Sequence, residues 1–201
     1  MTLTLYQLDI LQEVVNIGVG RAAAVLNAMI DAHIHLQVPY IRVLCPLEVI
    51  DQLEHSLGQD PVSAVRLGFT GSIDGNAQLV FPTESASKLV STLTEEEMDT
   101  LDLDSVKIGT LTEVGNITIN GVIGSIANLL HQRFTYSLPS YVEGTVKQLL
   151  ESGGESENAT ILLAQTQFSI ETMHVEGNII LIFKVGSFDT LLATLAQEYE
   201  V

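Results

Sequence analysis

At 201 residues, 46% of them hydrophobic and none a tryptophan, the chain is long enough to bury a core and is neither disordered nor fibrous in composition. Twenty-five acidic residues against eight basic ones leave a formal charge of −17, which repels phosphate backbones and anionic lipid and so argues against nucleic acid as a partner. A lone cysteine, Cys45, rules out an internal disulfide framework, and a start of MTLTLYQLDI without basic residues, followed by apolar runs broken by charge, implies no membrane insertion and a cytoplasmic protein.

Apolar residues cover most of the circumference of a long helix predicted over residues 4–31. At about 100° per residue, Asp9, Glu13 and Asn16 fall within about 60° of one another, and Gln12, Gly20 and Asn27 extend that polar stripe. An extended stretch at 36–43 holds Pro39, best placed at a strand edge or start. PLEVIDQLEHSLG is a short helix opened by Pro46 and closed by Gly58. The β-branched run PVSAVRLGFTGSI, then Asp74-Gly75, then NAQLVF, predicts a hairpin, and a helix over 83–93 closes the segment. The acidic stretch TEEEMDTLDLDS joins it to a second long helix at 105–131, whose stripe is Thr112, Glu113, Asn116 and Asn120. A second extended stretch at 134–142 carries Pro139, GTVKQLLESGG is a weaker helix, and GGESE is a loop. ATILLAQTQFSIETM and NIILIFKV flank Glu176-Gly177 as a second predicted hairpin, and a helix over 187–198 ends the chain.

The two sets of elements are one unit used twice. LQEVVNIGVGRAAAVLNAMIDAHIHLQVP (residues 11–39) lies over LTEVGNITINGVIGSIANLLHQRFTYSLP (111–139) at a constant offset of 100, matching Glu13 to Glu113, Asn16 to Asn116 and Pro39 to Pro139. The predicted fold is therefore mixed α/β. It is an internal duplication with pseudo-twofold symmetry, a largely antiparallel sheet and two long helices that carry the sites. Residues 1–201 form a single domain built from repeats 1–100 and 101–201 that share one core. A solvated helix face needs only some polar residue, and asparagine is a poor helix former. Its recurrence three positions after glutamate in both helices asks for a specific reason.

These residues resemble the signature of the CheC, CheX and FliY family of chemotaxis phosphatases, in which Asp or Ser, then Glu, then Asn share one helix, with a proline some two dozen positions on. The first copy is complete as Asp9, Glu13, Asn16 and Pro39. The second keeps Glu113, Asn116 and Pro139 but has Gly109 where Asp or Ser is expected. Two copies in a chain of this length are most similar to the CheC branch. The resemblance implies an enzyme, a phosphatase that hydrolyses the aspartyl phosphate of a CheY-type response regulator and so terminates a two-component signal. Asn16 and Asn116 would orient the attacking water and Glu13 and Glu113 would dock the regulator, with Asp9, Pro39 and Pro139 supporting. No metal or cofactor of its own is implied, since the regulator supplies Mg²⁺ and a lysine. Some CheC proteins also bind the receptor deamidase CheD, a partner that the residues here do not select. The alternative is a non-catalytic adaptor similar to the middle domain of the flagellar switch protein FliM, which is not expected to carry the Glu and Asn pairs.

Other motifs have ordinary readings. HIH at 33–35 places two imidazoles on one side of an extended segment without an evident third metal ligand, and His55, His131 and His174 are scattered singly. GVGR at 18–21 falls inside a helix, where close helix packing explains its glycines better than phosphate binding does. TEEEM is a capping signal for a short acidic turn.

Overall fold

The computed structural model describes residues 3–29, 34–94, 105–151, 159–170 and 173–198. Periodicity at 3.6 gives helices α1 (Leu5–Met29), α2 (Pro46–Leu57), α3 (Thr83–Thr94), α4 (Ser105–Leu129), α5 (Val146–Glu151) and α6 (Ser187–Glu198). Between them lie strands β1 (Ile34–Leu44), β2 (Val62–Thr70), β3 (Gly75–Pro82), β4 (Thr135–Tyr136), β5 (Ser140–Gly144), β6 (Thr160–Ile170) and β7 (Met173–Phe183). The termini follow local chemistry. α2 opens at Pro46, with the Cys45 N–H donating to Glu48 Oε2 at 2.8 Å, and closes at Gly58, whose φ of 78° favours glycine and whose N–H donates to Glu54 O. The acidic linker with its TEEEM turn, and the GGESE loop, lie outside the described residues but for Thr94 and Ser105 at the linker's ends.

Among the described residues seven strands form one sheet in which every pairing is antiparallel, in the order β1-β6-β7-β3-β2-β4, with β5 also on β2. The two hairpins meet at the centre, β3 against β7, from Gly75 opposite Phe183 to Val80 opposite Asn178. The outer strands are exchanged: β1 of the first repeat pairs with β6 of the second, and β5 of the second pairs with β2 of the first. Each half thus borrows a strand position from the other.

Strand residues alternate between two apolar layers. Val65, Leu67, Phe69, Leu79, Phe81, Leu162, Ile179 and Leu181 point to the face covered by α1, α3, α4 and α6. Val62, Ala64, Val80, Ile161, Leu163, Ile180 and Ile182 point to the face under α2 and α5. A sheet buried on both faces explains why ILLA and IILIF read as continuous apolar runs.

The second hairpin differs from its prediction. Glu176 and Gly177 are paired inside β7, opposite Gln167 and Thr166, and the pairing continues to Ile170 opposite Met173. Gly177 serves packing rather than a turn, because a Cβ there would stand 2.6 Å from the Phe81 ring. Gly75 likewise lies in β3 against the Phe69 ring, at the same 2.6 Å, and the first reversal occupies residues 71–74 just before it. The second predicted strand, 134–142, is broken into β4 and β5 by Ser137–Pro139, where Ser137 Oγ accepts the Gly68 N–H at 2.8 Å.

Candidate functional site

α1 and α4 pack against each other at two glycines. A Cβ on Gly18 would lie 2.5 Å from Val122 Cα and 2.7 Å from Gly121 O, so only a bare backbone permits the crossing. Gly18 meets Gly121, while Leu26 shares a recess with Gly109, Glu113 and Val114, so the helices run antiparallel and their Glu–Asn pairs face opposite ends of the helix pair. Gly20, the other glycine of GVGR, touches nothing and is exposed.

Positions three apart on a helix are surface neighbours, which puts Glu13 beside Asn16 and Glu113 beside Asn116. Asp9, Glu13, Gly109 and Glu113 are exposed, and Asn16 and Asn116 are half-buried. The accessible face of α1 is wider than its polar stripe, because Ile17 is 43% and Val25 49% exposed, and Leu5 and Tyr6 are exposed at its start.

The two carboxamides have different surroundings. The Val38 N–H donates to Asn16 Oδ1 at 2.9 Å, while Asn16 Nδ2 and Gln12 Nε2 donate to Val38 O at 3.3 and 3.4 Å. Further along α1 the Ile34 N–H donates to Asn27 Oδ1 at 2.5 Å and Asn27 Nδ2 to Ile34 O at 3.2 Å. Eleven helical residues rise about 16 Å and four strand residues about 13 Å, so two asparagines three turns apart can fasten one returning strand to the helix. Val38 is available because β1 bulges there: Gln37 faces Gln167 and Tyr40 faces Gln165, leaving Val38 and Pro39 opposite a single residue. Proline, with no N–H to give a ladder, suits that edge position.

α4 lacks this fastening. Ala127 replaces the second asparagine, the strand is displaced to β4 and β5, and Pro139 lies in the break between them. Asn120 occupies the place of Gly20 and donates its Nδ2 to Asn116 Oδ1 at 2.7 Å. Among the described residues Asn116 Nδ2 has no hydrogen-bond partner. Beside Glu113 a recess of about 350 Å³ is lined by Leu26, Leu93, Thr94, Gly109, Thr110 and Val114, and Gly109 has open space where a side chain would project.

Sequence reasoning placed all four Glu and Asn residues on accessible helix faces but did not anticipate the strand contact of Asn16 or the role of Asn27. Their repetition three turns apart on one face was the available signal. Of the remaining candidates, His35 is exposed on β1 and His174 bonds Ser169 Oγ at 3.0 Å, while His33 lies outside the described residues. Among the described residues no group of three or more His, Cys, Asp or Glu could hold a metal ion, and no helix is long and apolar enough to cross a membrane.

Residues 63–161 match the family described as Chemotaxis phosphatase CheX, a span that contains Glu113 and Asn116. The CheY-P phosphatase CheC of Bacillus subtilis is 24% identical over 198 residues, covering 94% of this chain and 93% of that protein. Among solved structures, Thermotoga maritima FliY aligns with a TM-score of 0.78 at 18% identity, over 98% of this chain and 99% of that one. The FliM middle domain of H. pylori aligns at 0.66 and 11% identity, over 96% and 99%. The structural likenesses establish the fold.

Proposed function

We propose, from the place these matches give the chain in the CheC, CheX and FliY family of chemotaxis phosphatases, that it hydrolyses the aspartyl phosphate of a CheY-type response regulator. The observation that carries this reading is the paired arrangement on α1 and α4: an exposed glutamate one turn from a carboxamide whose carbonyl oxygen is held by an N–H donor.

An aspartyl phosphate is a mixed anhydride that hydrolyses unaided, and the regulator carries the Mg²⁺ and lysine that neutralise its phosphoryl group. What remains is to hold a water in line. Its oxygen attacks phosphorus, the bond from phosphorus to the aspartate oxygen breaks, and the products are inorganic phosphate and a free carboxylate. A carboxamide oxygen has two acceptor positions and its nitrogen two donors. Asn16 spends one acceptor and one donor on Val38, and Asn116 spends one acceptor on Asn120. Each keeps an acceptor for the water and at least one donor for a phosphoryl oxygen. Glu13 and Glu113 pair with the regulator's lysine and set register. Asp9 steadies the first site, and Gly109 leaves the second with an open recess instead.

The similarity to FliM supports a second reading, a regulator-binding adaptor without chemistry, since that fold match extends over nearly the whole chain. Both Glu–Asn pairs favour the enzyme. The test is to phosphorylate CheY-type regulators with acetyl phosphate and Mg²⁺ and follow loss of the phosphoryl group with and without the protein. Acceleration that weakens when Glu13 and Glu113 are replaced by alanine supports the phosphatase; binding without acceleration supports the adaptor.

A further inference from the structure

We infer that Asn120 is a positioning residue of the second site: it fixes which end of the Asn116 carboxamide faces outward. This deepens the phosphatase reading and rests on it.

A lone asparagine on a helix surface can rotate its amide by half a turn and exchange oxygen for nitrogen at little cost. At Asn16 the choice is made by the backbone, because the Val38 N–H requires an oxygen opposite it. Among the described residues no strand backbone is bonded to Asn116. Its oxygen instead receives Asn120 Nδ2 at 2.7 Å, from one turn further along α4. The same position in α1 is Gly20, which has open space around it and no side chain to compete. Each half therefore supplies one N–H to the carboxamide oxygen, from the bulged strand in one case and from a side chain in the other.

Asn120 is itself set one way round. Among the described residues its Oδ1 is buried without a partner. Turning both amides over would bury an NH₂ in that place, and orphaned donors are rarer and costlier than under-used carbonyl oxygens. The less costly arrangement has Asn120 donating, the oxygen of Asn116 facing inward and its NH₂ outward. That leaves Asn116 with two free N–H groups for phosphoryl oxygens and one remaining oxygen lone pair for water.

Asn120→Asp is nearly isosteric but, when ionised, can only accept. It forces Asn116 to turn its NH₂ inward and present its oxygen. Asn120→Ala removes the constraint without reversing it. Both are to be assayed in the Glu13→Ala background, which weakens docking at the first site, against a phosphorylated CheY-type regulator, with Asn116→Ala as reference and thermal melts as folding control. Asn120→Ala is expected to lower kcat about fivefold, the effect of one net hydrogen bond, with KM within about twofold. Asn120→Asp should fall about as far as Asn116→Ala at pH 7.5. It should recover relative to its background only as pH drops to about 4 and below, where the protonated carboxyl again donates. In the unmutated protein, side-chain amide proton exchange by NMR should show one protected N–H on Asn120 and both Asn116 N–H groups exchanging freely.

Unchanged kcat in both position-120 variants, alongside a clear loss in Asn116→Ala, overturns the positioning role and leaves the phosphatase reading intact. Protection found on the Asn116 nitrogen instead of that of Asn120 also overturns it, independently of activity or mutant stability. A harmless Asn116→Ala shows the second site silent and overturns this inference alone, whereas no acceleration by the unmutated protein with any CheY-type regulator removes the parent reading and this one with it.

Discussion

Alanine at the two asparagines should separate a structural from a purely functional carboxamide. Asn16→Ala deprives the Val38 N–H of its acceptor at 2.9 Å, and Val38 is 2% exposed. An unsatisfied buried donor costs about 1–3 kcal/mol, and the low half of that range applies at an edge strand where water has some access. The Val38 carbonyl keeps Gln12 Nε2 at 3.4 Å, so it adds little. Alanine regains about 0.5 kcal/mol of helix propensity, leaving a net loss of about 1 kcal/mol and a fall of about 2–4 °C in Tm for a chain of this size. Asn116→Ala breaks only the bond from Asn120 and makes the same propensity gain, so its stability should change by less than about 0.5 kcal/mol. Urea denaturation and thermal melts of the two variants in parallel provide the comparison. If Asn116→Ala is destabilised as much as Asn16→Ala, the assignment of one carboxamide to the strand and the other to a side chain is wrong.

Other substitutions probe the frame that carries the sites. Gly18→Ala should cost about 2–3 kcal/mol in denaturation experiments, because the new methyl meets Val122 Cα and Gly121 O, backbone atoms that cannot rotate aside. Gly20→Ala, with open space around it, should stabilise by about 0.5–1 kcal/mol. Gly109→Ser also meets nothing, so it should fold normally, and by completing the second motif it should raise dephosphorylation in a Glu13→Ala background. We propose that the repeats fold only together: fragment 1–100 leaves β1 without β6 and β3 without β7, and its circular dichroism and amide dispersion should be those of an unfolded chain.

Much of this organisation was legible because local rules and the internal repeat agreed. α2 begins at Pro46 and ends before Gly58 as its sequence predicts, and α1 and α4 extend from Leu5 to Met29 and from Ser105 to Leu129, close to the predicted 4–31 and 105–131. Glu13 and Glu113 stand exposed on the predicted stripes. Features that depend on distant partners were not legible. Glu176-Gly177 has the composition of a turn, yet the glycine is there because the Phe81 ring lies over it from a strand nearly a hundred residues earlier. The exchange of β1 and β5 between halves cannot be read from periodicity, which assigns a strand its faces but not its neighbours. The contact between Asn16 and Val38 depends on that exchange together with the bulge at Pro39, so a side chain that reads as purely catalytic also holds the edge strand.

Turnover and binding by Asn16→Ala/Asn116→Ala, set beside the unmutated protein with one phosphorylated CheY-type regulator, test the central claim most directly. Loss of the water-positioning amides should slow dephosphorylation by about 10²-fold or more, while the regulator binds within a few-fold of its normal affinity. A double variant that releases phosphate as fast as the unmutated protein would contradict the assignment of these two carboxamides to catalysis.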